Sequence, residues 1–524
     1  MVSCLKHTDL PNTSKLFADF VYHHDRVAAF YEGSPLDPAA YAAAAARLDY
    51  PDSRRAAMTA ALAALNGPSA ELARFAQPGT VVVVTGQQVG LFSGPCYTIY
   101  KALTAARLAS DLNERGIPAV AVFWLASEDH DFAEVNHAWS FGADARPVRL
   151  SVPPPGSDPR PVGEVAIAEY PVAALRAQLE QLPFGAEVAS LVEESYVPGA
   201  TMSGAFRELL QRLLPKLGLL FLDPMRPEVR AIAAPLIRDA VEAAPLLSER
   251  LLARGRELET LGYHAQVHFE AKNSLFFLLE DGCRHTLRRD GGDYAYAGGR
   301  IAARDLAARA DRISPNALLR PVAQDYMLPS VAQIGGPAEI AYLAQTQVLY
   351  ESLGRRAPVV APRSGFTLLD SRCEKLMTRY GLSIPAFYEG FEPLRDRISA
   401  SLVPPELQSA IAASRESARK ALDGLRPGLA RFDATLAAAL DKSRDKVLYQ
   451  FAKIEQKTRR EALRRDERAQ REAAYLYGRI YPEKHLQERL YTILPFLAAH
   501  GLDLVDKLHE HVRLDCPDHL IARI

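Results

Sequence analysis

The chain has 524 residues, 48% of them apolar, which is too long for one ordinary core and enough for two to four structural units with a buried active site. Lysine and arginine number 62 against 63 acids, a formal charge of -1, which argues against general affinity for nucleic acid or an anionic membrane and makes any anion site local. Five cysteines (Cys4, Cys96, Cys283, Cys373, Cys516) are odd in number, widely spaced and without a CxxC pair, which argues against a disulfide framework or a four-cysteine zinc module and for a reducing cytoplasm.

The start, MVSCLKHTDLPNTSKLF, lacks a basic segment followed by an apolar run, and no stretch reaches the roughly 18 apolar residues of a spanning helix, so the sequence reads as cytosolic with no membrane partner. Residues 39 to 65 are alanine-rich with leucines at helical spacing and predict helices that end at Gly67 and Pro68. VVVV at 81 to 84, a glycine-bearing loop, a helix from about Pro95 to Asn113, Gly116 as a stop and AVAVFWLA at 119 to 126 make one βαβ unit of a parallel sheet covered on both faces. PPPGSDPRP, 153 to 161, predicts a loop or linker, LGLLFLD at 217 to 223 a buried strand, and 227 to 254 a long amphipathic helix. NSLFFLLEDG and RRDGGDYAYAGGR, between 273 and 300, predict antiparallel hairpins inserted into the parallel pattern, which VAQIGG, a helix from Pro337 and VVAP at 359 to 362 resume. The fold class is therefore α/β, a doubly wound core interrupted by insertions.

From about Pro385, large apolar residues recur at spacings of three and four: Leu422, Leu425, Leu429, Phe432, Leu436, Leu440, Val447, Phe451 and Ile454. Gly424, Pro427 and Gly428 place a reversal within 423 to 435, giving an antiparallel helical hairpin. Its second helix, about 40 residues, would form an arm of roughly 60 Å whose apolar stripe finds a partner most simply in a second copy of the chain. The expected domains are 1–384 for the core, with insertions at about 140–205 and 265–312, 385–477 for the arm and 478–524 for a segment returning to the core.

Three clusters carry the candidate chemistry. In TGQQVGLFSGP, Gly86, Gly90 and Gly94 allow a turn and close approach of a ligand, the helix beyond Pro95 offers N–H groups to an anion, and Gln87 and Gln88 add neutral donors and acceptors; a tight turn with no ligand is the alternative. The spacing is neither GxGxxG nor a P-loop, and Lys101 reads as a solvated side chain. In SEDHDFAEVNH, Glu128, Asp129, His130 and Asp131 end an apolar strand, where repulsion and partial burial perturb titration; His130 is the best base, Asp131 alternatively a helix cap, and Asn136 a further substrate-binding candidate. In the third cluster Arg320 suits a carboxylate or phosphate, or else an ion pair with Asp325, while Gly335 and Gly336 precede a helix whose Glu339 is explained by the helix dipole and capping. No metal is assigned; His509, His511, Cys516 and His519 are a candidate metal site, since HxH in a strand puts both rings on one face, but no second pair of known spacing matches them, and ordinary surface and core histidines are the alternative.

TGQQVGLFSGPCYTIYK, FWLASEDHDFAEVNH, SPNALLRPVAQDYMLPSVAQIGGPAEIAYLAQ and YPEKHLQER, in that order along the whole chain, resemble the bacillithiol biosynthesis cysteine-adding enzyme family. The resemblance implies a Rossmann-like core with connecting-peptide insertions, a C-terminal coiled coil that makes a homodimer, and addition of L-cysteine to the amino group of glucosaminyl-malate as an amide. It also implies binding of an adenine nucleotide, ATP or ADP, near the coiled coil, without implying that this site is catalytic; whether Mg²⁺ joins Glu128, Asp129 and Asp131 is left open by the sequence, no HIGH-like or KMSKS-like pattern is present, and Cys96 stands where an apolar residue is usual. In this scheme His130, with Asp129 or Asp131, takes the amine proton, the 86–90 loop holds the sugar or an oxyanion, and Arg320 clamps malate or phosphate. A nucleotidyltransferase-like enzyme acting on an amino sugar, or a dimeric coiled-coil scaffold, are the alternatives.

Overall fold

A computed structural model describes residues 2–154, 156 and 158–524, so Pro155 and Ser157 of the predicted 153–161 loop lie outside the described residues. Five parallel strands form the central sheet: β1 (Val81–Gln88), β2 (Ala119–Ala126), β3 (Leu219–Leu222), β4 (Ser330–Gly335) and β5 (Val359–Pro362), in the order β5-β4-β1-β2-β3. The valine run is continuous because both faces are covered. Val82, Val84, Val120 and Val122 enter one apolar cluster, while Val81, Val83, Ala119 and Ala121 enter another on the opposite face. Helix α1 (Cys96–Glu114) connects β1 to β2, and helix α2 (Pro337–Ser352) follows β4. The order reverses between β1 and β4, the place where doubly wound sheets open a crevice at the strands' carboxyl ends.

Gly86 lies opposite Trp124 in the β1–β2 register, and a Cβ built on it would come within 2.8 Å of both the Trp124 Cβ and carbonyl oxygen. The missing side chain is therefore explained by the adjacent strand. Farther on, the loop folds onto itself: a Cβ on Gly90 would lie 3.1 Å from the Gly94 Cα. Phe92, Ser93 and Gly94 all take positive φ, with Phe92 and Ser93 fully buried, a strained corner that packing must enforce.

Two insertions decorate the sheet. The first holds the hairpin His137–Phe141 with Pro147–Ser151 and helices Val172–Leu179, Gly185–Ser195 and Met202–Leu213. The second is a five-stranded antiparallel sheet of Asn273–Glu280, Cys283–Asp290, Asp293–Tyr296, Gly299–Ala302 and Ile313–Pro315. The long helix expected at 227–254 is two, Pro227–Glu242 and Ala244–Thr260, because Pro245 lacks the N–H that would continue the ladder.

The chain divides into two compact units, one holding Pro147–Leu368 and Gln487–Ile524 with the chain up to Ala143, the other Leu369–Leu486 with the 144–146 turn. The boundary falls at 368, not at 384, because Ser371–Tyr380 belongs with Glu467–Ile480: Asp370 accepts from Tyr475 Oη at 2.9 Å and pairs with buried Arg479 at 3.1 Å. The second unit is helical, and its arm is the hairpin of Pro405–Phe432 and Ala434–Arg465. Pro427 sits inside the first of these helices; the reversal comes at Asp433, whose carboxylate caps the second through Thr435. The second helix is 32 residues long, shorter than expected, because Asp466 caps a new helix that begins at Glu467. No helix among the described residues is long and apolar enough to cross a membrane.

Gly86→Ala should lower stability by about 1–3 kcal/mol, since the new methyl meets backbone as well as side chain. Urea unfolding of the purified variant measures this, and an unchanged midpoint would show that the strand pair yields.

Candidate active site

A cavity of about 590 Å³ lies at the carboxyl ends of β1, β2 and β4, lined among others by Gly86, Gln87, Gln88, Lys101, Asp129 and His130. Lys101 projects from α1 back under the first loop. Its Nζ donates to the Gly86 carbonyl at 2.7 Å and to Gln87 Oε1 at 2.9 Å, and pairs with Glu339 Oε2 at 2.5 Å; the residue is 2% exposed, so it is a buried cation and not a solvated one. Burial pushes its ammonium below the ordinary lysine range, with Glu339 opposing. Gln88 serves the other side: its Nε2 donates to Asp129 Oδ2 at 2.9 Å and to Glu134 Oε2 at 2.8 Å, bridging two carboxylates.

Asp129 also accepts the backbone N–H of His130 at 2.7 Å and Arg284 Nη1 at 3.3 Å. Burial raises its carboxyl, but Gln88, Arg284 and the two following backbone N–H groups outweigh it and hold it below the usual range. The same Arg284 Nη1 reaches His130 Nδ1 at 3.0 Å, and the guanidinium lies 3.7 Å over the Phe277 ring. A guanidinium only donates, so Nδ1 accepts and the neutral ring carries its proton on Nε2. Burial, then Arg284, lower the His130 pKa and keep the ring neutral. In this arrangement His130 presents an N–H donor at Nε2. Glu128 is buried against Arg230 at 3.1 Å; burial raises its carboxyl against the pull of the two arginines.

Arg320, Arg363 and Arg489 line the same cavity. Arg320 does not pair with Asp325 but donates to Gln324 Oε1 at 2.8 Å and Tyr342 Oη at 3.0 Å. Arg363 and Arg489 lie 5.4 and 5.7 Å from the Tyr97 ring centre. Arg363 is fixed by a two-pronged pair with Glu488, at 2.9 and 2.5 Å, with both side chains no more than 5% exposed. Burial opposes ionisation of Glu488, yet Arg363, His519 and the Phe366 N–H together hold it at about 2. Behind it, fully buried His519 bonds Thr367 Oγ1 at 2.8 Å through Nε2, and its Nδ1 finds no partner among the described residues.

Residues 4–364 match the family described as "Bacillithiol biosynthesis BshC, N-terminal Rossmann-like domain", and residues 366–523 match its C-terminal coiled-coil domain. The chain belongs to the bacillithiol biosynthesis BshC family. Among its relatives, a protein of Solibacter usitatus named "Putative cysteine ligase BshC" is 54% identical over 99% of both chains. Proteins with the same name from Koribacter versatilis and Salinibacter ruber are 37% and 30% identical, covering 99% and 97% of this chain and 99% and 96% of their own.

In this BshC family chain the four motifs meet at one cavity: Gly86, Gln87, Gln88, Glu128, Asp129, His130, Arg320 and Gly336 line it, and YPEKHLQER contributes Arg489. Other expected residues stand apart from the lining. Asp131 caps the short helix Phe132–Val135 at 3.3 Å from the Glu134 N–H, and Asn136 donates to the Val152 carbonyl. Gly90 and Gly94 shape the loop. Asp325 is bonded by Tyr350 and Gln324, and burial pushes its carboxyl up to about 6. Gly335 gives room to Glu339, 3.2 Å from where its Cβ would stand. Cys96 is buried in the core, and His509 and His511 fall on the helix Leu504–His511, where a spacing of two turns the rings apart. Sequence reading missed Lys101, Arg284, Arg363, Glu488 and Arg489. For Lys101 the signal was its place two turns along a helix leaving the glycine loop; Arg284 lies in a distant hairpin and gave none.

His519 links this region to pH. Burial foremost lowers it from an ordinary 6.5 to about 4, so above pH 6.5 it is neutral both folded and unfolded and contributes nothing. As pH falls from 6.5 towards 4 the unfolded chain takes up a proton that the folded chain refuses, and stability should drop by about 3 kcal/mol. Urea unfolding across that window should show the drop in the parent and a shallower one in His519→Gln; parallel curves would remove His519 as the cause.

Proposed function

We propose that this chain is a cysteine ligase that forms an amide between the carboxyl group of L-cysteine and the amino group of glucosaminyl-malate in bacillithiol biosynthesis. The observation that carries the reading is one cavity that holds both signs of charge: Asp129 and Glu134 bridged by Gln88, and Arg284, Arg320, Arg363 and Arg489 among the same lining residues. An amino substrate bearing the two carboxylates of malate is complementary to such a lining, its nitrogen towards Asp129 and Glu134 and its carboxylates towards the arginines.

Amide formation needs an acyl carbon with a leaving group, an attacking amine that loses a proton, and stabilisation of the oxygen that gains charge. ATP, were it bound here, would supply the leaving group, and Arg320, Arg363 and Arg489 carry the charge to hold its phosphates or the malate carboxylates. Asp129 already accepts several hydrogen bonds and is a poor base, so Glu134, held through one oxygen by Gln88, takes the amine proton. His130 donates from Nε2 to the developing oxyanion, with Arg284 fixing the tautomer from behind. Lys101 holds Gln87 and the loop carbonyl in place.

The protein acts in the cytoplasm as a homodimer through its arm, a reading supported by seam residues left exposed there, among them Leu425 at 56%, Phe432 at 86% and Ile454 at 51%.

Purified protein incubated with L-cysteine and glucosaminyl-malate, with and without ATP and Mg²⁺, should yield the cysteinyl amide by mass spectrometry only when ATP is present, with AMP or ADP as the second product. Folded protein that makes no amide under any of these conditions would overturn the ligase reading. His130→Ala should lower turnover by about 10²-fold or more and Glu134→Gln by about 10²- to 10⁴-fold, with folding intact by circular dichroism. Because the neutral ring is the active form and its pKa is lowered, the acid limb of kcat/KM due to His130 should lie below pH 6.5. Activity that instead falls as pH rises through that window would mean that His130 works protonated.

A further inference from the structure

The strand Val2–Leu5 pairs antiparallel with His519–Arg523, Cys4 opposite Leu520, and the turn leading into the second strand brings Cys516 to the same edge. Cys4 Sγ and Cys516 Sγ are 4.0 Å apart, although 512 residues separate them in sequence. The corner is held from both ends of the chain: Tyr22 Oη donates to Asp518 Oδ1 at 2.6 Å and accepts the His7 N–H at 2.7 Å. Both thiols are free; Cys4 is exposed and Cys516 partly exposed, whereas Cys96 and Cys373 are buried. A disulfide needs the sulfurs at about 2.05 Å, a closure of about 2 Å that side-chain rotation can supply at the edge of a strand facing a loop.

Access is also built in. Cys516 lines a second cavity of about 260 Å³, together with Arg107, Arg115 and Arg513. Arg363 borders this cavity and the reaction cavity alike. Asp111 and Asp515 line it too and pair with Arg115 and Arg513, which leaves Arg107 as the lining cation that would meet a small disulfide carrying carboxylates.

We propose that Cys4 and Cys516 are a redox modification site, a thiol pair that low-molecular-weight disulfides close reversibly into an intramolecular bridge. One thiolate attacks a sulfur of the small disulfide, whose S–S bond breaks and releases a first small thiol, leaving a mixed disulfide on the protein. The other thiolate attacks the protein sulfur of that mixed disulfide and expels the second small thiol. The two protein thiols lose two electrons and two protons; the small disulfide gains both and leaves as two thiols. The bridge ties the strand Val2–Leu5 to the segment that ends in His519, and the Leu520 N–H donates to the Gly365 carbonyl at 2.8 Å, two residues from Arg363. Oxidation therefore fastens the sheet beside Arg363. This holds whatever reaction the cavity performs.

The test treats the folded full-length protein with oxidised glutathione, blocks the remaining thiols and maps peptides without reduction. A Cys4–Cys516 cross-linked peptide is expected, lighter by about 2 Da than the two free peptides together. It should disappear with dithiothreitol and be absent from Cys516→Ser and Cys4→Ser, and the oxidised parent should melt at a higher temperature than the reduced parent while the variants show no such rise. Glutathione mixed disulfides without the bridge, or a bridge that forms only after denaturation, would overturn the proposal.

Discussion

A buried ammonium needs partners, and the carboxyl end of the central sheet is arranged around one. Lys101 reaches from the helix after β1 to a carbonyl of β1, a side chain of β1 and the carboxylate of Glu339 in the helix after β4, so three donor directions are used on two elements that meet at the switch point. An uncompensated charge at that depth would cost several kcal/mol, so the loop, strand and two helices are held to one geometry by a single group. Gly336 at the start of α2 completes it, its N–H bonded by the same Glu339 at 2.8 Å.

The second organising pair, Arg363 with Glu488, works at longer range. Residues 125 apart in sequence meet as a two-pronged ion pair with almost no exposure. Removing either partner would strand the other's charge, while the pair together aims a guanidinium at the cavity with little freedom. Tyr97 beneath Arg363 and Arg489 adds an aromatic face that tolerates cations side by side. Arg363 therefore reaches the cavity with its counter-charge, Glu488, outside the lining, whereas Lys101 meets Glu339 within it.

Much of this was legible in the sequence. VVVV and AVAVFWLA named themselves as strands covered on both faces, and the glycine loop and SEDHD fell at their carboxyl ends as a parallel sheet requires. The cause of the glycines was not legible: Gly86 yields to Trp124 on the neighbouring strand, a contact 38 residues away along the chain that only the register reveals. The role of His130 was hidden for a similar reason, because the partner that fixes its tautomer, Arg284, comes from an inserted hairpin 154 residues later. In the arm, Pro427 and Gly428 looked like breakers, but an exposed helix continues through them, and a capping aspartate at 433 sets the turn near the end of the expected 423–435 stretch. Side chains whose meaning depends on a distant element were misread or missed; those whose meaning follows from strand and helix period were not.

At the root of the helical unit, the Gln487 side-chain amide accepts from the Leu368 N–H at 2.7 Å and donates to the Leu368 carbonyl at 3.0 Å, so the chain leaves the core and re-enters it through adjacent positions pinned by a side chain. Seen from the core, the 118 intervening residues are one closed loop. The entropy of closing a loop grows only with the logarithm of its length, about 0.6 kcal/mol for each doubling. Whole helical turns can then be gained or lost from the arm with little thermodynamic effect on the core's closure, which leaves the arm's length free to follow whatever it must touch.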